Sequence, residues 1–265
     1  MCSGEFEDVS AAREIGVYGR VWRGVHGGYF SDPAVARSLL DVVAPVLRAT
    51  QPAAVVDWGG GTGFLLAQLR RRSVARGLRL LNVDLSPEQQ SAAPPSGIQL
   101  LTAPLEKVTR RRLAAPGERL LFLMRSVLHY FGRRGLDGVL RHLRAQARLG
   151  EFLVHQTASF DRPADAACLS ELYRRMGLSK WYPSTADLAG RLRAARWEVV
   201  GCRLAPALRL RQTELAARYG VTRARMERVR AQICARHGAL QSVFAPGRTR
   251  FVARLHYRIW VCRAS

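Results

Sequence analysis

The chain has 265 residues, of which 48% are apolar, and a formal net charge of +22. This length and composition allow a large α/β core and exclude wholesale disorder. No stretch reaches the ~18 apolar residues of a membrane span, and the first residues lack the features of a secretion signal, so we expect a soluble cytoplasmic protein. The five cysteines form no CxxC pair, which predicts reduced thiols rather than a metal site or disulfides.

The positive charge has two interpretations. Clustered cations neutralise phosphates, so a net charge of +22 favours contact with nucleic acid or an acidic substrate. However, 40 of the 42 basic residues are arginine, and only Lys107 and Lys180 are lysine. The codon composition of a GC-rich genome would produce the same skew, so arginine-rich solvated helix faces explain the charge equally well.

Residues 1–45 precede the first predicted strand, and we expect them to form an N-terminal helical cap or lid. Four residues with ring side chains lie in this segment. They are Tyr18, Trp22, His26 and Tyr29. The alternative is simple aromatic packing of an N-terminal helix on the sheet.

Residues 55–66 form the most informative segment: an apolar strand ends at Asp57, three glycines follow at alternate positions, and a helix begins at Phe64. The three at alternate positions are Gly59, Gly61 and Gly63, and Gly60 lies between the first two. Glycine permits backbone angles and a closeness to ligand that a side chain would forbid. A dinucleotide-binding motif would need a glycine where Phe64 stands, and a carboxylate at Asp57 suits a cation better than a phosphate.

The next predicted strand, residues 78–84, ends in Asp84, 21 residues after Gly63. An acid in this position commonly accepts hydrogen bonds from ribose hydroxyls. Ser86, directly before Pro87, is typical of a helix N-cap. That capping role is compatible with ribose binding by Asp84.

Strand and helix patterns then alternate, as a doubly wound α/β fold requires. We predict strands at 98–101, 119–124, 151–156, 197–202 and 255–262, and a helix over 133–148. The expected fold is a seven-stranded, mostly parallel sheet with its cofactor-binding core at 46–205. We expect residues 206–250 to form a helical insertion, as a substrate lid or dimer contact, and residues 251–265 to supply the final strand.

Strand, acid, glycine turn, helix, strand and second acid, in this order, closely resemble class I S-adenosylmethionine-dependent methyltransferases, which have a Rossmann-like core. The resemblance implies S-adenosylmethionine as the cofactor, since Asp57 and the loop amides would complement the ammonium and carboxylate of its methionine end. From the cysteine spacing we expect no metal ion. The implied cofactor-binding residues are Asp57, Gly59, Gly61, Gly63, Asp84, Leu85 and Arg125.

Ligands of open α/β sheets lie at the carboxyl ends of the strands, so we expect the acceptor beside residues 125–131 and 157–160. The first of these segments resembles the "LHDW" region of small-molecule O-methyltransferases, whose histidine is the general base. His129 matches that histidine, and Tyr130 stands where the family has an aspartate. A pocket-wall or helix-capping histidine is the alternative. Residues 21–33 resemble a segment of methyltransferases that act on small molecules, and this resemblance implies that Tyr18, Trp22, His26 and Tyr29 form part of a lid that excludes water from the cofactor.

These patterns predict methyl transfer by direct displacement to a small-molecule acceptor of specialised metabolism. An RNA acceptor is the first alternative, although residues 125–129 lack the Asn-Pro-Pro-Tyr sequence used on exocyclic base amines. Residues 212–230 fit a helix-turn-helix template, which is the basis for a DNA-binding or regulatory alternative. A third alternative is a protein that keeps the cofactor but catalyses cyclisation or acts as a regulator.

Overall fold

The computed structural model describes residues 24–91 and 96–265. The helices in these ranges are α1 Pro33–Thr50, α2 Phe64–Arg70, α3 Pro87–Ser91, α4 Gly132–Gln146, α5 Pro163–Arg175, α6 Thr185–Ala194, α7 Gln212–Tyr219 and α8 Arg223–His237. The strands are β1 Ala54–Trp58, β2 Arg79–Asp84, β3 Gln99–Thr102, β4 Leu120–Arg125, β5 Phe152–Ala158, β6 Trp197–Leu204, β7 Leu208–Arg211, β8 Phe244–Pro246, β9 Phe251–Leu255 and β10 Tyr257–Ala264. Short single turns of 3-10 helix occur between several of them.

Within residues 24–91 and 96–265, seven strands form one sheet in the order β3-β2-β1-β4-β5-β10-β6. Strand β10 runs antiparallel to β5 and β6, and the other neighbours are parallel. The predicted seven-stranded, mostly parallel sheet flanked by helices is thereby confirmed. Its strand order reverses between β1 and β4, and a crevice that can hold a ligand opens at such a switch point.

The first residues of the central strands β1, β4 and β5 are apolar because helices cover both faces of the sheet. Every residue of β1 is buried. On one face, α1 and α2 pack through residues such as Leu39 and Leu66 against Val55. On the other face, Leu140 of α4 packs against Phe122. A parallel strand enclosed in this way has no polar face, which explains the unbroken apolar runs in its sequence.

Helix α1 belongs to the core, so the predicted N-terminal cap does not extend over residues 33–45. The helix begins after Asp32, whose Oδ1 accepts a hydrogen bond of 2.7 Å from the amide of Ala34, and Pro33 occupies its first turn. Its apolar stripe is buried against the sheet. The periodic apolar pattern of a core helix and that of a covering helix are the same, and only the packing separates them.

The segment predicted as a helical insertion contains strands as well as α7 and α8. Strands β7, β9 and β8 form a small antiparallel sheet in that order, and the two helices pack on it through a cluster that includes Leu215, Met226 and Phe251. The predicted final strand at 251–265 is divided, because β9 joins this small sheet and only β10 belongs to the large one. Strands this short carry a weak pattern of their own, and these three do not fit the alternation of strand and helix that supported the equally short β1 and β3.

A buried ion pair holds the start of β5 against the loop that precedes β4. Arg110 Nη1 and Nη2 each lie 2.7 Å from an oxygen of Glu151, whose side chain has no exposed surface. The backbone amides of Leu120 and Arg148 donate to the same carboxylate over 2.8 Å. Each carboxylate oxygen therefore has two donors, which a buried charge requires.

None of the helices in residues 24–91 and 96–265 has the length and apolar character needed to cross a bilayer.

Candidate functional site

The glycine turn follows β1 and leads into α2 at the switch point of the large sheet. Gly59, Gly61 and Gly63 have φ angles of +70°, +55° and +74°, a region that costs other residues backbone strain. Space is also restricted, since a β-carbon on Gly59 would lie 2.6 Å from Cγ2 of Val127. Both the conformation and the close approach of the β4–α4 connection therefore require glycine at position 59.

Asp57 lies beneath the turn with an exposed fraction of 1%. Its two carboxylate oxygens and Oδ1 of Asn82 have no hydrogen-bond donor among the residues that the structure describes. Both side chains face the backbone of Gly60, where a β-carbon would lie 2.7 Å from Asp57 Oδ2 and nearer still to Asn82 Oδ1. Unsatisfied acceptors in a buried place are costly, so this arrangement suits a group that brings donors or positive charge.

The protonation of Asp57 follows from its surroundings. Burial raises the pKa of its carboxyl group from 3.8 to about 7; the positive charge of Arg125 opposes that rise, and the nearby Asp84 adds to it. A cation bound beside Asp57 would lower this pKa and favour the ionised form.

Asp84 connects the end of β2 to the glycine turn. Its Oδ2 accepts a hydrogen bond of 2.7 Å from the amide of Gly61, and its Oδ1 accepts one of 2.9 Å from the amide of Ser86. Burial raises its pKa, although these backbone donors work against the shift. Ser86 Oγ accepts from the amide of Gln89 at 3.1 Å, which confirms the predicted N-cap of α3. Leu85, the next residue, is 44% exposed.

Arg125, at the carboxyl end of β4, links three parts of the chain. Its Nη2 donates a hydrogen bond of 2.6 Å to the carbonyl of Phe30. Its guanidinium lies over the rings of Phe30 and Phe64, 5.5 Å and 5.7 Å from their centroids. The predicted cofactor residue Arg125 thus lies between the N-terminal segment and the first turn of α2, close enough to Asp57 to stabilise its charge.

His129 lies in the single turn Leu128–Phe131 that follows β4. Its ring centroid is 4.1 Å from that of Tyr130 and 5.5 Å from that of Tyr182, on which it stacks. Burial holds the pKa of His129 well below 6.5, and the positive charges of Lys180 and Arg218 lower it further. The imidazole is therefore neutral at neutral pH. Its Nδ1 is buried, and no described residue hydrogen-bonds to it.

Of the four lid candidates, Tyr18 and Trp22 lie outside the described residues. His26 is hydrogen-bonded to Arg218 of α7. The hydroxyl of Tyr29 donates to the carbonyl of Pro206 over 2.5 Å and accepts from Nε2 of Gln156 over 3.0 Å. His26 therefore connects the N-terminal segment to α7, and Tyr29 connects it to the loop between β6 and β7 and to β5.

Several polar residues of this region were not singled out from the sequence. Gln156 is fully buried on β5, and Lys180 donates a hydrogen bond of 2.7 Å to the hydroxyl of Tyr219. A signal existed for Lys180, because a lysine in a chain with 40 arginines is a rare choice. No local pattern identifies Gln156, and the helix-turn-helix template that covers Tyr219 gives this residue no role in a small-molecule site.

Comparison with known proteins bears on the fold. No protein-family model matches the chain, and no curated protein matches its sequence. A protein of Bacillus halodurans C-125, provisionally assigned as a methyltransferase, superposes with a TM-score of 0.63 at 12% identity, over 85% of this chain and 98% of that one. The chain has the class I methyltransferase fold.

Two further structures of this fold are similar to the chain over nearly its whole length. The 1,6-didemethyltoxoflavin-N1-methyltransferase of Burkholderia thailandensis has a TM-score of 0.55 and 16% identity, and the likeness covers 100% of this chain and 92% of that one. The magnesium protoporphyrin IX methyltransferase of Synechocystis PCC 6803 has a TM-score of 0.58 and 14% identity, with 98% and 100% covered. In the class I methyltransferase fold of this chain, the glycine turn and the turn that carries His129 both lie at the β1–β4 switch point.

Proposed function

We propose that the protein is an S-adenosylmethionine-dependent methyltransferase acting on a small molecule. The unsatisfied acceptors of Asp57 at the switch point carry this proposal, because they suit a cationic ligand held against the glycine turn. The fold supports it, since the Burkholderia and Synechocystis enzymes were solved with bound S-adenosylhomocysteine. The Synechocystis enzyme was also solved with S-adenosylmethionine.

The residues present fit this cofactor. Asp57 would accept hydrogen bonds from its ammonium group, and the glycine turn would lie against its methionine end. Asp84 would accept hydrogen bonds from the ribose hydroxyls, while Leu85 would cover the base. Arg125 would balance the charge of the carboxylate. When bound, S-adenosylmethionine supplies an electrophilic methyl carbon on a positively charged sulfur.

The residues that would contact the acceptor lie in the turn Leu128–Phe131, which follows Arg125 in the chain. A neutral His129 can accept a hydrogen bond or a proton from the acceptor, which is the state a general base requires. His26 and Tyr29 would help to exclude water from the reacting atoms, and Tyr130 would line the acceptor's path. Alignment of the acceptor atom with the methyl carbon then supplies much of the rate enhancement.

The cofactor assignment is tested by calorimetric titration with S-adenosylhomocysteine. We expect wild-type protein to bind, and the Asp57→Ala, Asp84→Ala double variant to bind at least about 100-fold more weakly, because two charged contacts are lost. Asp41→Ala is the matched control, since that carboxylate lies on the surface and pairs with Arg72. Equal affinity of the wild type and the double variant would refute the assignment.

An RNA acceptor is the second candidate. The positive charge is concentrated in one part of the chain, whereas a codon bias alone would spread it evenly. Residues 206–255 contain 11 arginines and two glutamates, a net charge of +9 in about a fifth of the chain. Such a concentration attracts phosphates. Transfer of labelled methyl groups into total RNA, compared with a small-molecule extract, separates the two candidates.

A further inference from the structure

Gln156 lies near the carboxyl end of β5 and has no exposed surface. In the register of the large sheet it lies beside Arg125, the last residue of β4. Its carbonyl accepts a hydrogen bond of 2.8 Å from the amide of Ser126, which begins the connection that leads to His129. Gln156 is therefore at the edge of the sheet where we expect the methyl acceptor.

Tyr29 fixes the orientation of the Gln156 carboxamide. The hydroxyl of Tyr29 donates its one proton to the carbonyl of Pro206 over 2.5 Å. Burial raises the pKa of Tyr29 above its usual value, so the hydroxyl keeps this proton at neutral pH. It can therefore only accept from Gln156, and a carboxamide donates only through its nitrogen. Nε2 of Gln156 accordingly faces Tyr29 at 3.0 Å, and Oε1 points elsewhere.

Oε1 of Gln156 is a buried oxygen without a hydrogen-bond donor among the residues that the structure describes. Such an oxygen is costly, because water no longer solvates it. Turning the carboxamide over would bring Oε1 to a hydroxyl whose one proton is already donated to Pro206, so the cost would remain. The arrangement suits a bound molecule that brings a donor of its own.

The proposed cofactor would not supply this donor. Its ammonium group would bind at Asp57 on β1, and its ribose at Asp84 on β2, which lies farther away in the sheet. Strand β4 separates β1 from β5. Because neighbouring strands lie about 4.8 Å apart, β1 and β5 are about 10 Å apart, well beyond the length of a hydrogen bond. A donor for Oε1 would thus come from the methyl acceptor.

The chemistry of Oε1 also limits the kind of donor. An amide oxygen carries only a partial charge, so it pairs well with a neutral N–H or O–H group. An ammonium in a buried place needs a carboxylate to offset its loss of water, as Asp57 would provide for the cofactor. A neutral donor is therefore the better match for Gln156.

We infer that Gln156 is a specificity-determining residue whose Oε1 accepts a hydrogen bond from a neutral N–H or O–H group of the methyl acceptor, such as an amide, a lactam or a hydroxyl. This inference deepens the proposed function and rests on it. The hydrogen bond would hold the acceptor at the end of β5, and Tyr29 would keep Oε1 turned towards it.

The test uses full-length protein, S-adenosylmethionine with a labelled methyl group, and a small-molecule extract added at increasing concentration. The extract concentration that gives half of the maximal rate measures the affinity for the acceptor. Gln156→Met keeps the length of the side chain and removes the oxygen, so we expect it to raise this concentration at least about 5-fold. Gln232→Met is the matched control, because Gln232 is exposed on α8, and it should equal the wild type.

Tyr29→Phe separates recognition of the acceptor from a purely structural role of Gln156. Tyr29→Phe and Gln156→Met both remove the hydrogen bond between these two side chains, but only Gln156→Met removes Oε1. We expect the smaller shift in half-saturating concentration from Tyr29→Phe. An equal or larger shift from Tyr29→Phe would mean that Gln156 only holds Tyr29 in place, and the inference would be wrong.

Gln156→Glu tests the charge of the donor. A carboxylate would bind an ammonium more tightly than an amide does, whereas a neutral donor has no such gain. We expect the half-saturating concentration of Gln156→Glu to be no lower than that of the wild type. A lower value would overturn the neutral donor. Gln156→Asn, which keeps an amide but withdraws its oxygen by one carbon–carbon bond, replaces Gln156→Met if that variant does not fold, with the same expected shift.

Titration with S-adenosylhomocysteine keeps the two proposals apart. If the wild type does not bind it, the proposed function fails. We expect the wild type and folded Gln156→Met to bind it equally, and weaker binding by the variant would show that Gln156 serves the cofactor instead. The inference also fails, while the cofactor assignment stands, if the extract takes up no label or if Gln156→Met and Gln232→Met have the same half-saturating concentration. The second result is expected if a bound water satisfies Oε1.

Discussion

The side chain of Val127 fills the space that a β-carbon on Gly59 would need, with Cγ2 2.6 Å from that position. Because Val127 precedes the turn of His129, this contact joins the glycine turn to the acceptor side. In Gly59→Ala, the new β-carbon would clash with Cγ2 of Val127, and the backbone would have to keep a φ angle of +70°. We expect it to lower the affinity for S-adenosylhomocysteine more than about 10-fold and to cost about 2–4 kcal/mol of unfolding free energy.

Gly77→Ala is the control for the backbone cost alone. Gly77 has a φ of +80° with nothing within 4 Å of its β-carbon position. We expect this variant to lose about 1–2 kcal/mol of unfolding free energy and to bind S-adenosylhomocysteine as tightly as the wild type does. Calorimetric titration and thermal unfolding measure both effects, and equal affinity of the two variants would show that the contact with Val127 does not shape the site.

Asp57→Asn should stabilise the ligand-free protein at alkaline pH. The folded-state pKa of Asp57 is raised from 3.8 to about 7, so between these values the folded state binds more protons than the unfolded state. This carboxyl group therefore makes stability fall as pH rises from about 4 to about 7. We expect a gain of about 1–3 kcal/mol at pH 8 and little change at pH 4, with weaker binding of S-adenosylhomocysteine.

Denaturant unfolding at the two pH values checks this prediction, with the surface variant Asp41→Asn as control. A gain that is the same at pH 4 and pH 8 would show that the buried charge is not its origin.

Glu151→Gln should destabilise the fold without changing the site. Arg110 would remain largely buried with only a neutral amide opposite it. We therefore expect the free energy of unfolding to fall by about 3–5 kcal/mol. Glu198→Gln removes an ion pair between two exposed side chains, since Glu198 is 47% and Arg263 49% exposed. It should cost less than about 1 kcal/mol of unfolding free energy. Chemical denaturation ranks the two variants. Similar costs would mean that burial does not determine the strength of the Arg110 pair.

His155 should contribute to the loss of stability in acid. Burial lowers its pKa from 6.5 to about 3, and Nδ1 lies 2.7 Å from Thr157 Oγ1. Below pH 6.5 the unfolded state takes up a proton that the folded state does not, so stability falls as pH falls towards 3. By pH 5 the effect of this one group is about 2 kcal/mol.

His155→Gln keeps a polar group beside Thr157 and removes the titration. We expect its melting temperature to fall less between pH 7 and pH 5 than that of the wild type. His129 acts in the same direction, so a part of the acid sensitivity should remain. Parallel decreases in the two proteins would exclude a contribution from His155.

The sequence by itself determined the glycine turn, the acids Asp57 and Asp84 and the cap at Ser86. These features are local, because a positive φ angle, a helix start and an apolar strand each leave a pattern within about ten residues. The seven-stranded, mostly parallel sheet was also predicted, since strands that alternate with helices are typical of a doubly wound fold. Strands β7 to β9 were not predicted, because they are short and do not fit the alternation of strand and helix that supported the equally short β1 and β3.

Only the tertiary structure decided which distant residues meet. Tyr29 and Pro206 are 177 residues apart in the chain and share a hydrogen bond, and Lys180 and Tyr219 are 39 apart. The sequence drew attention to His129. It did not show that the ring of His129 stacks on Tyr182 or that Lys180 lies close enough to lower its pKa. Such groupings depend on how helices and sheets pack and not on the propensity of any segment. Burial then sets their charges, because it is the packed surroundings, not the residue type, that remove water from Asp57 and His129.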